Sequence, residues 1–229
     1  MKAILFDFGG TLDTNGIHWS EYFWDVYQQL HIPIAKNLYE QAYVAAEQTL
    51  PGNRIHRTDT FSATIAAQIS AQFDFLSTLG HYFDRSLSIE LAHLCYAKVE
   101  TNVQQQMPFI KKLSKRYALG VVSNYYGNLK ASLNELGFAP AIQTAIDSTI
   151  VGVSKPDPKI FQLALDELHM LAGETYVVGD SYERDIVPAK QLGCVTVWLR
   201  GRSWKEQMET AKADYVILSL HELSSLVRM

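Results

Sequence analysis

The sequence predicts a doubly wound parallel α/β sheet core interrupted by an inserted all-helical domain, and three observations lead there. Short unbroken apolar runs, the mark of strands buried on both faces, recur at 3–6 (AILF), 118–123 (ALGVVS), 175–180 (TYVVGD) and 194–199 (CVTVWL), with a weaker one at 214–218 (DYVIL). Helix-period segments separate the later runs, and strands that alternate with helices build a parallel sheet with right-handed crossovers. Residues 18–106 break this rhythm, because they hold helical stretches and polar breaks but no strand-like run.

Taken in order, the first strand ends at Asp7 and the pair Gly9, Gly10. In the insert, Leu87, Leu91, Leu94, Cys95, Val99 and Val103 form one apolar stripe at helical spacing, and 60–79 is a second helical stretch of mostly apolar or small residues. PGNRIHRTD at 51–59 is the clearest loop. Connectors are expected near 13–17 and 106–110, which divides the chain into a core of residues 1–17 and 107–229 and a helical cap of residues 18–106. Beyond the insert, a helix over 126–136 stops at Gly137. Another over 158–170 opens with Asp157 as its cap and Pro158 in its first turn, and a third over 183–192 stops at Gly193.

Composition narrows the function. With 229 residues, 48% hydrophobic and 19% charged, the chain can bury a substantial core, which excludes disorder and low complexity. A net charge of −4 with no basic run provides no footprint for nucleic acid or an anionic membrane, and no apolar stretch reaches membrane-spanning length. A small-molecule partner is expected. Cys95 and Cys194 sit in apolar runs without metal-ligand spacing, so the sequence favours free buried thiols in a reducing compartment, with the cytoplasm as the expected location. The N-terminal apolar run is too short for a signal peptide.

Ligands of open parallel sheets bind at the carboxyl ends of strands. Those ends carry Asp7 with Gly9, Gly10 and Thr11; Ser123 with Asn124; and Asp180 with Ser181 and Asp185. Lys155 joins them from a Ser-Lys-Pro-Asp-Pro turn that opens a helix. Three carboxylates gathered on one rim repel each other unless a cation intervenes, and a hard oxygen-seeking ion such as Mg²⁺ suits that donor set.

These segments resemble, in order, the four motifs of the haloacid dehalogenase superfamily: DFGGTLD, VVSN, SKPDP and VGDSYERD. The resemblance implies a Rossmann-like core with a helical cap inserted after the first motif, and the activity of a hydrolase on a small phosphorylated metabolite. It makes Asp7 the nucleophile that forms an aspartyl phosphate. Asp7, the backbone carbonyl of Gly9, Asp180 and Asp185 would hold Mg²⁺, while Thr11, Ser123, Asn124 and Lys155 would bind the phosphoryl group.

One position departs from the family's phosphatase pattern. The second Asp that serves as acid and base stands two residues after the nucleophile, and here that position is Gly9. General acid–base catalysis is worth about 10²–10⁴-fold, so a slow phosphatase is expected, with Asp13 and His18 the nearby residues that could substitute. Two other readings follow from Gly9: a metal-independent dehalogenase-type hydrolase, and a non-catalytic binding relative. The acidic fourth motif favours metal and phosphate over the former. The aromatic group Trp19, Tyr22, Phe23, Trp24 and Tyr27 reads as cap packing, and Trp198, Trp204 and Cys194 as structural. Asn53, Arg54, His56 and Arg57 read as a solvated loop from which Arg54 or Arg57 could reach an anionic substrate.

Overall fold

The computed structural model describes residues 1–50, 54–204 and 212–227. Its sheet has six strands: β1 (Ala3–Phe6), β2 (Ala118–Ser123), β3 (Thr144–Asp147), β4 (Thr175–Gly179), β5 (Val195–Leu199) and β6 (Tyr215–Ile217). All neighbours are parallel, in the order β3-β2-β1-β4-β5-β6. That is the doubly wound order, and it puts β1 between β2 and β4, where the strand order reverses. Asp7, Ser123 and Asp180 therefore end three adjacent strands.

The alternation of side chains along β1 explains its unbroken apolar run. Ala3 and Leu5 face a layer with Ile160, Phe161, Ala164 and Leu165, whereas Ile4 and Phe6 belong to the larger layer on the opposite face. Each fully buried large side chain contributes about 1.5–3 kcal/mol of transfer free energy, so every position of this strand is committed to the core. β3 was not expected from the sequence. It is an edge strand of four residues with only Ala145 and Ile146 apolar, too short to produce the two-face pattern.

The helices of the insert are α1 (Trp19–Gln29), α2 (Lys36–Thr49), α3 (Phe61–Thr78) and α4 (Arg85–Leu113). His18, Thr60 and Asp84 accept hydrogen bonds from the first-turn N–H groups of α1, α3 and α4. The connector expected at 106–110 is helical instead. α4 passes through Pro108 without ending, because the stripe of Leu91, Cys95, Val99 and Val103 continues into Phe109, Ile110 and Leu113, which are buried. The connector at 13–17 is irregular as expected, and so are the described residues 54–59 of the loop.

In the core follow α5 (Leu129–Glu135), the single turn α6 (Ser148–Val151), α7 (Lys159–Leu168) and α8 (Val187–Gln191). Asp157 accepts the Lys159 N–H at 2.9 Å, in line with its capping role. α7 stops before residue 170 because His169 takes a left-handed conformation, φ 54°. The segment expected as helix over 183–192 is a wide turn, Tyr182–Ile186, leading into α8. Among the described residues no helix is long and apolar enough to cross a membrane.

Candidate active site

Asp7 follows β1 directly, and the chain then turns through Phe8–Leu12 with Gly10 at φ 96°. Gly10 is required twice over: its φ is left-handed, and a Cβ there would stand 2.5 Å from the Asp180 carboxylate. Gly179 plays the same part for the fourth motif, since a Cβ would collide with the Asp185 carboxyl group. The two glycines let the motif turns close on each other, which brings oxygens of Asp7, Asp180 and Asp185 within 4.8 Å of one another.

One ammonium holds this group together. Lys155 Nζ donates to Asp7 Oδ1 at 2.5 Å and to Asp185 Oδ1 at 2.6 Å, with all three side chains buried. Burial opposes the lysine's charge, but Asp185 and Asp7 outweigh it and hold the ammonium protonated, up to about 12. Among the described residues no ammonium or guanidinium pairs directly with Asp180, and Lys155 acts on it only from a distance. Burial and then the charges of Asp7 and Asp185 push its carboxyl well above the usual range, and burial pushes Asp185 up to about 6 even with Lys155 beside it. A divalent cation would relieve this repulsion. The donor set, three carboxylates with the Gly9 carbonyl close by in sequence, offers oxygens only, which is the chemistry Mg²⁺ selects, so the residues fit the ion.

Fixed neighbours hold these groups in place. Asn124 and Lys155 exchange two hydrogen bonds, Asn124 Nδ2 to the Lys155 carbonyl at 3.0 Å and the Lys155 N–H to Asn124 Oδ1 at 2.8 Å, which anchors the lysine backbone. The Asn124 side chain is therefore committed to the lysine. Thr11 is fully buried and is absent from the residues bordering the cavity; its hydroxyl accepts the Asp180 N–H at 3.1 Å and lies 3.4 Å from oxygens of Asp7 and Asp180. Its side chain serves the carboxylates where phosphate contact was expected. Ser181 N–H donates to Asp185 at 3.0 Å, and the Trp198 indole donates to the Asp180 carbonyl at 2.9 Å, so Trp198 steadies the backbone of Asp180.

A cavity of about 710 Å³ opens above this rim. Asp7, Gly9, Ser123, Asn124, Lys155, Asp180 and Asp185 border it from the core, and Trp19, Phe23, Phe61 and Ile65 from the cap. Trp19 and Phe23, expected as packing, thus face the cavity, and so does Trp204. Trp204 stacks on His18 with ring centroids 6.4 Å apart. Arg54 instead pairs with Asp74 at 2.7 Å, and neither it nor Arg57 borders the cavity; Asn53 lies outside the described residues.

Position 9 is covered by Trp19 of α1. A Cβ there would meet Trp19 Cδ1 at 3.6 Å, ordinary contact, so the indole roofs the place where a second acid would stand. Trp19 is held by Asp13, whose Oδ2 accepts the indole N–H at 2.7 Å while Oδ1 accepts the Gly10 N–H at 2.8 Å. Asn102 of α4 donates to the Asp13 carbonyl at 2.7 Å. Burial pushes the Asp13 carboxyl up to about 7. Asp13 is fully buried and does not border the cavity, whereas His18 does. Sequence reasoning missed Glu47, Gln68, Tyr126 and Arg184, which also border the cavity; Arg184 lies within the fourth motif but was given no role, and no motif marks the other three, which reach the cavity from separate elements.

The family profile of haloacid dehalogenase-like hydrolases matches residues 1–193. The chain belongs to the haloacid dehalogenase-like hydrolases. It is 36% identical over 96 residues to a glyceraldehyde 3-phosphate phosphatase of Methanocaldococcus jannaschii, a match that covers 42% of each chain. It is 28% identical over 133 residues to the pyrimidine 5′-nucleotidase YjjG of Escherichia coli, covering 57% of this chain and 59% of that one. Both matches thus span less than two thirds of the relative's length. Among solved structures, the magnesium-bound hydrolase YfnB of Bacillus subtilis superposes with a TM-score of 0.62 at 18% identity, over 100% of this chain and 99% of that one. This hydrolase therefore shares that fold.

Proposed function

We propose that this haloacid dehalogenase-like hydrolase is a Mg²⁺-dependent phosphatase of a small phosphorylated metabolite, acting through an aspartyl phosphate on Asp7. The observation that carries the reading is the convergence of three buried carboxylates on a single lysine at the floor of a cavity. Relatives named as phosphatases support it. The two cysteines are free and buried, which fits the cytoplasm as the location.

Phosphoryl transfer demands positioning and charge neutralisation more than covalent chemistry. Asp7 is positioned by β1 and by Lys155, its attack on phosphorus breaks the bond to the leaving oxygen, and water then attacks the aspartyl phosphate, breaking the Asp7–phosphorus bond to release inorganic phosphate and return the free carboxylate. Lys155 stays protonated throughout and offsets charge on the transferring group. Asp7, the Gly9 carbonyl, Asp180 and Asp185 would hold Mg²⁺, which when bound supplies neutralisation of the phosphoryl oxygens. Ser123, buried at the end of β2 and bordering the cavity, and the backbone of Asn124 would take the remaining phosphoryl contacts. No side chain at position 9 can protonate the leaving oxygen. Of the two nearby candidates, His18 borders the cavity and Asp13 does not, so His18 is the proposed proton donor.

Hydrolysis of p-nitrophenyl phosphate tests the reading. Activity should vanish on full chelation, return with Mg²⁺, and fall by at least about 10³-fold in Asp7→Asn. Turnover that persists in EDTA would overturn it.

A further inference from the structure

Helix α2 presents one face to the cavity: Tyr43 and Val44, and one turn later Glu47 and Gln48, all border it. Glu47 is half-buried on that face. Its Oε1 accepts two hydrogen bonds, from Gln68 Nε2 of α3 at 2.6 Å and from the Tyr126 hydroxyl of the loop after β2 at 2.7 Å. Oε2 accepts none from the described residues, and it is not a buried atom, because the buried side-chain oxygens without a partner belong to Gln68, Gln106 and Asn128. Gln68, Tyr126 and Arg184, the groups that touch the Glu47 carboxyl or act on it by charge, border the same cavity, so Oε2 opens into that space.

A carboxylate with one oxygen tied down and the other open is a pre-set acceptor for a charged donor. Its surroundings suit an organic cation. Tyr43 packs against Trp204 with ring centroids 5.6 Å apart and against Phe23 at 6.3 Å, and all three rings border the cavity. Aromatic faces attract an ammonium, whereas an anion gains nothing from them. No lysine or arginine among the described residues forms an ion pair with Glu47, and the exposed Arg184 acts on it only through its charge. We propose that Glu47 Oε2 accepts an N–H from an ammonium group on the substrate's leaving group, making Glu47 a specificity-determining residue of this phosphatase. The substrate class is then an amino-bearing phosphomonoester, and leaving groups that end in a carboxylate are disfavoured by the same charge. Burial raises the Glu47 carboxyl above its usual range, and an ammonium on Oε2 favours the ionised form, as the Tyr126 bond already does. That the ammonium arrives on a phosphate ester rests on the phosphatase reading.

The test is a series of aryl phosphates carrying a para alkyl arm of one to four carbons that ends in ammonium, in hydroxyl or in carboxylate, at about pH 8, where the arm's amine stays charged. With Mg²⁺ and the intact chain, kcat/KM is measured on wild type, and affinity by calorimetry on Asp7→Asn. At its best arm length the ammonium should exceed the hydroxyl by at least about tenfold in each readout, with the carboxylate the poorest of the three. Glu47→Gln keeps an acceptor for Gln68 and Tyr126 but loses the charge, and should reduce that ratio to about twofold or less. Glu47→Asp draws the charge back by one carbon and should lengthen the best arm by one carbon. Equal behaviour of the three arms in wild type at every length overturns the proposal, while turnover itself leaves the phosphatase reading intact. A preference for the carboxylate also overturns it and assigns the contact to Arg184. So does an ammonium preference that persists in Glu47→Gln, or a best length that does not move in Glu47→Asp. Either variant decides if the other does not fold. If nothing is turned over but the Glu47-dependent ammonium preference appears in binding, the phosphatase reading fails and the role of Glu47 stands.

Discussion

On the core side of the cavity, Asp7, Asp180 and Asp185 crowd around one lysine; on the cap side, Glu47 shares a single oxygen between Gln68 and Tyr126 amid aromatic rings. The core side is in electrostatic deficit, since one ammonium cannot balance three carboxylates. The cap side holds one buried carboxyl group, Glu47, with two neutral hydrogen-bond donors on it, and burial pushes that carboxyl above its usual range. The contrast teaches that the two walls differ in kind: like charges held together by glycine-lined turns call for a cation, whereas the cap wall sets one hydrogen-bonded carboxyl group among rings.

The largest effect should come from removing the lysine. In Lys155→Met, Asp7 and Asp185 lose their buried counter-charge, a change that costs about 3–5 kcal/mol where a buried pair is broken on one side. Urea denaturation in EDTA should show a loss of that order, added Mg²⁺ should recover part of it, and turnover should fall by at least about 10²-fold. A variant as stable as wild type in EDTA would show that the carboxylates are not in deficit.

The joint between the two walls gives a smaller, pH-dependent effect. The Asp13 carboxyl is pushed up by burial from 3.8 to about 7 in the folded state. The folded protein therefore binds the proton more tightly than the unfolded chain, so the group's contribution is fully present below its unfolded value and is lost as pH rises towards about 7. Asp13→Asn removes this titration. Between pH 5 and 7 the stability of wild type relative to the variant should fall by at most about 1.4 kcal/mol per pH unit, then level off above pH 8. A constant difference across that range would refute the buried, raised state of Asp13.

The smallest effect concerns the contact that ties the cap to the core away from the site. Glu135 of α5 accepts the Ser62 N–H at 2.9 Å and the Ser62 hydroxyl at 2.6 Å. Glu135→Gln keeps one acceptor and loses the charge, so about 0.5–1.5 kcal/mol of stability should go, lowering Tm by a few degrees with kcat/KM on p-nitrophenyl phosphate little changed. A large loss of turnover would mean that this contact sets the cap position over Asp7.

The core wall was legible because its strands are buried on both faces. AILF, ALGVVS and TYVVGD each end where the apolar run ends, so Asp7, Ser123 and Asp180 could be read as strand-end residues before their neighbours in space were known. β3 escaped because an edge strand of four residues needs no such run. The expected connector at 106–110 failed for a different reason: Gln106 and Pro108 look like a break, but Phe109, Ile110 and Leu113 keep the apolar face of α4 buried across them. Trp204 read as a structural aromatic, and the structure adds that it stacks on His18 where both border the cavity.

What the sequence determined by itself was five of the six strands, the family and the candidate carboxylates, because local periodicity marks strands and the motif carboxylates sit at their ends. The tertiary structure decided the rest. It put Thr11 behind the carboxylates, set Trp19 over Gly9 through Asp13, and gathered Glu47, Gln68 and Tyr126 into one cluster. Those last three residues come from α2, α3 and the loop after β2, up to 79 positions apart, so no local pattern links them; packing of the cap against the strand ends does.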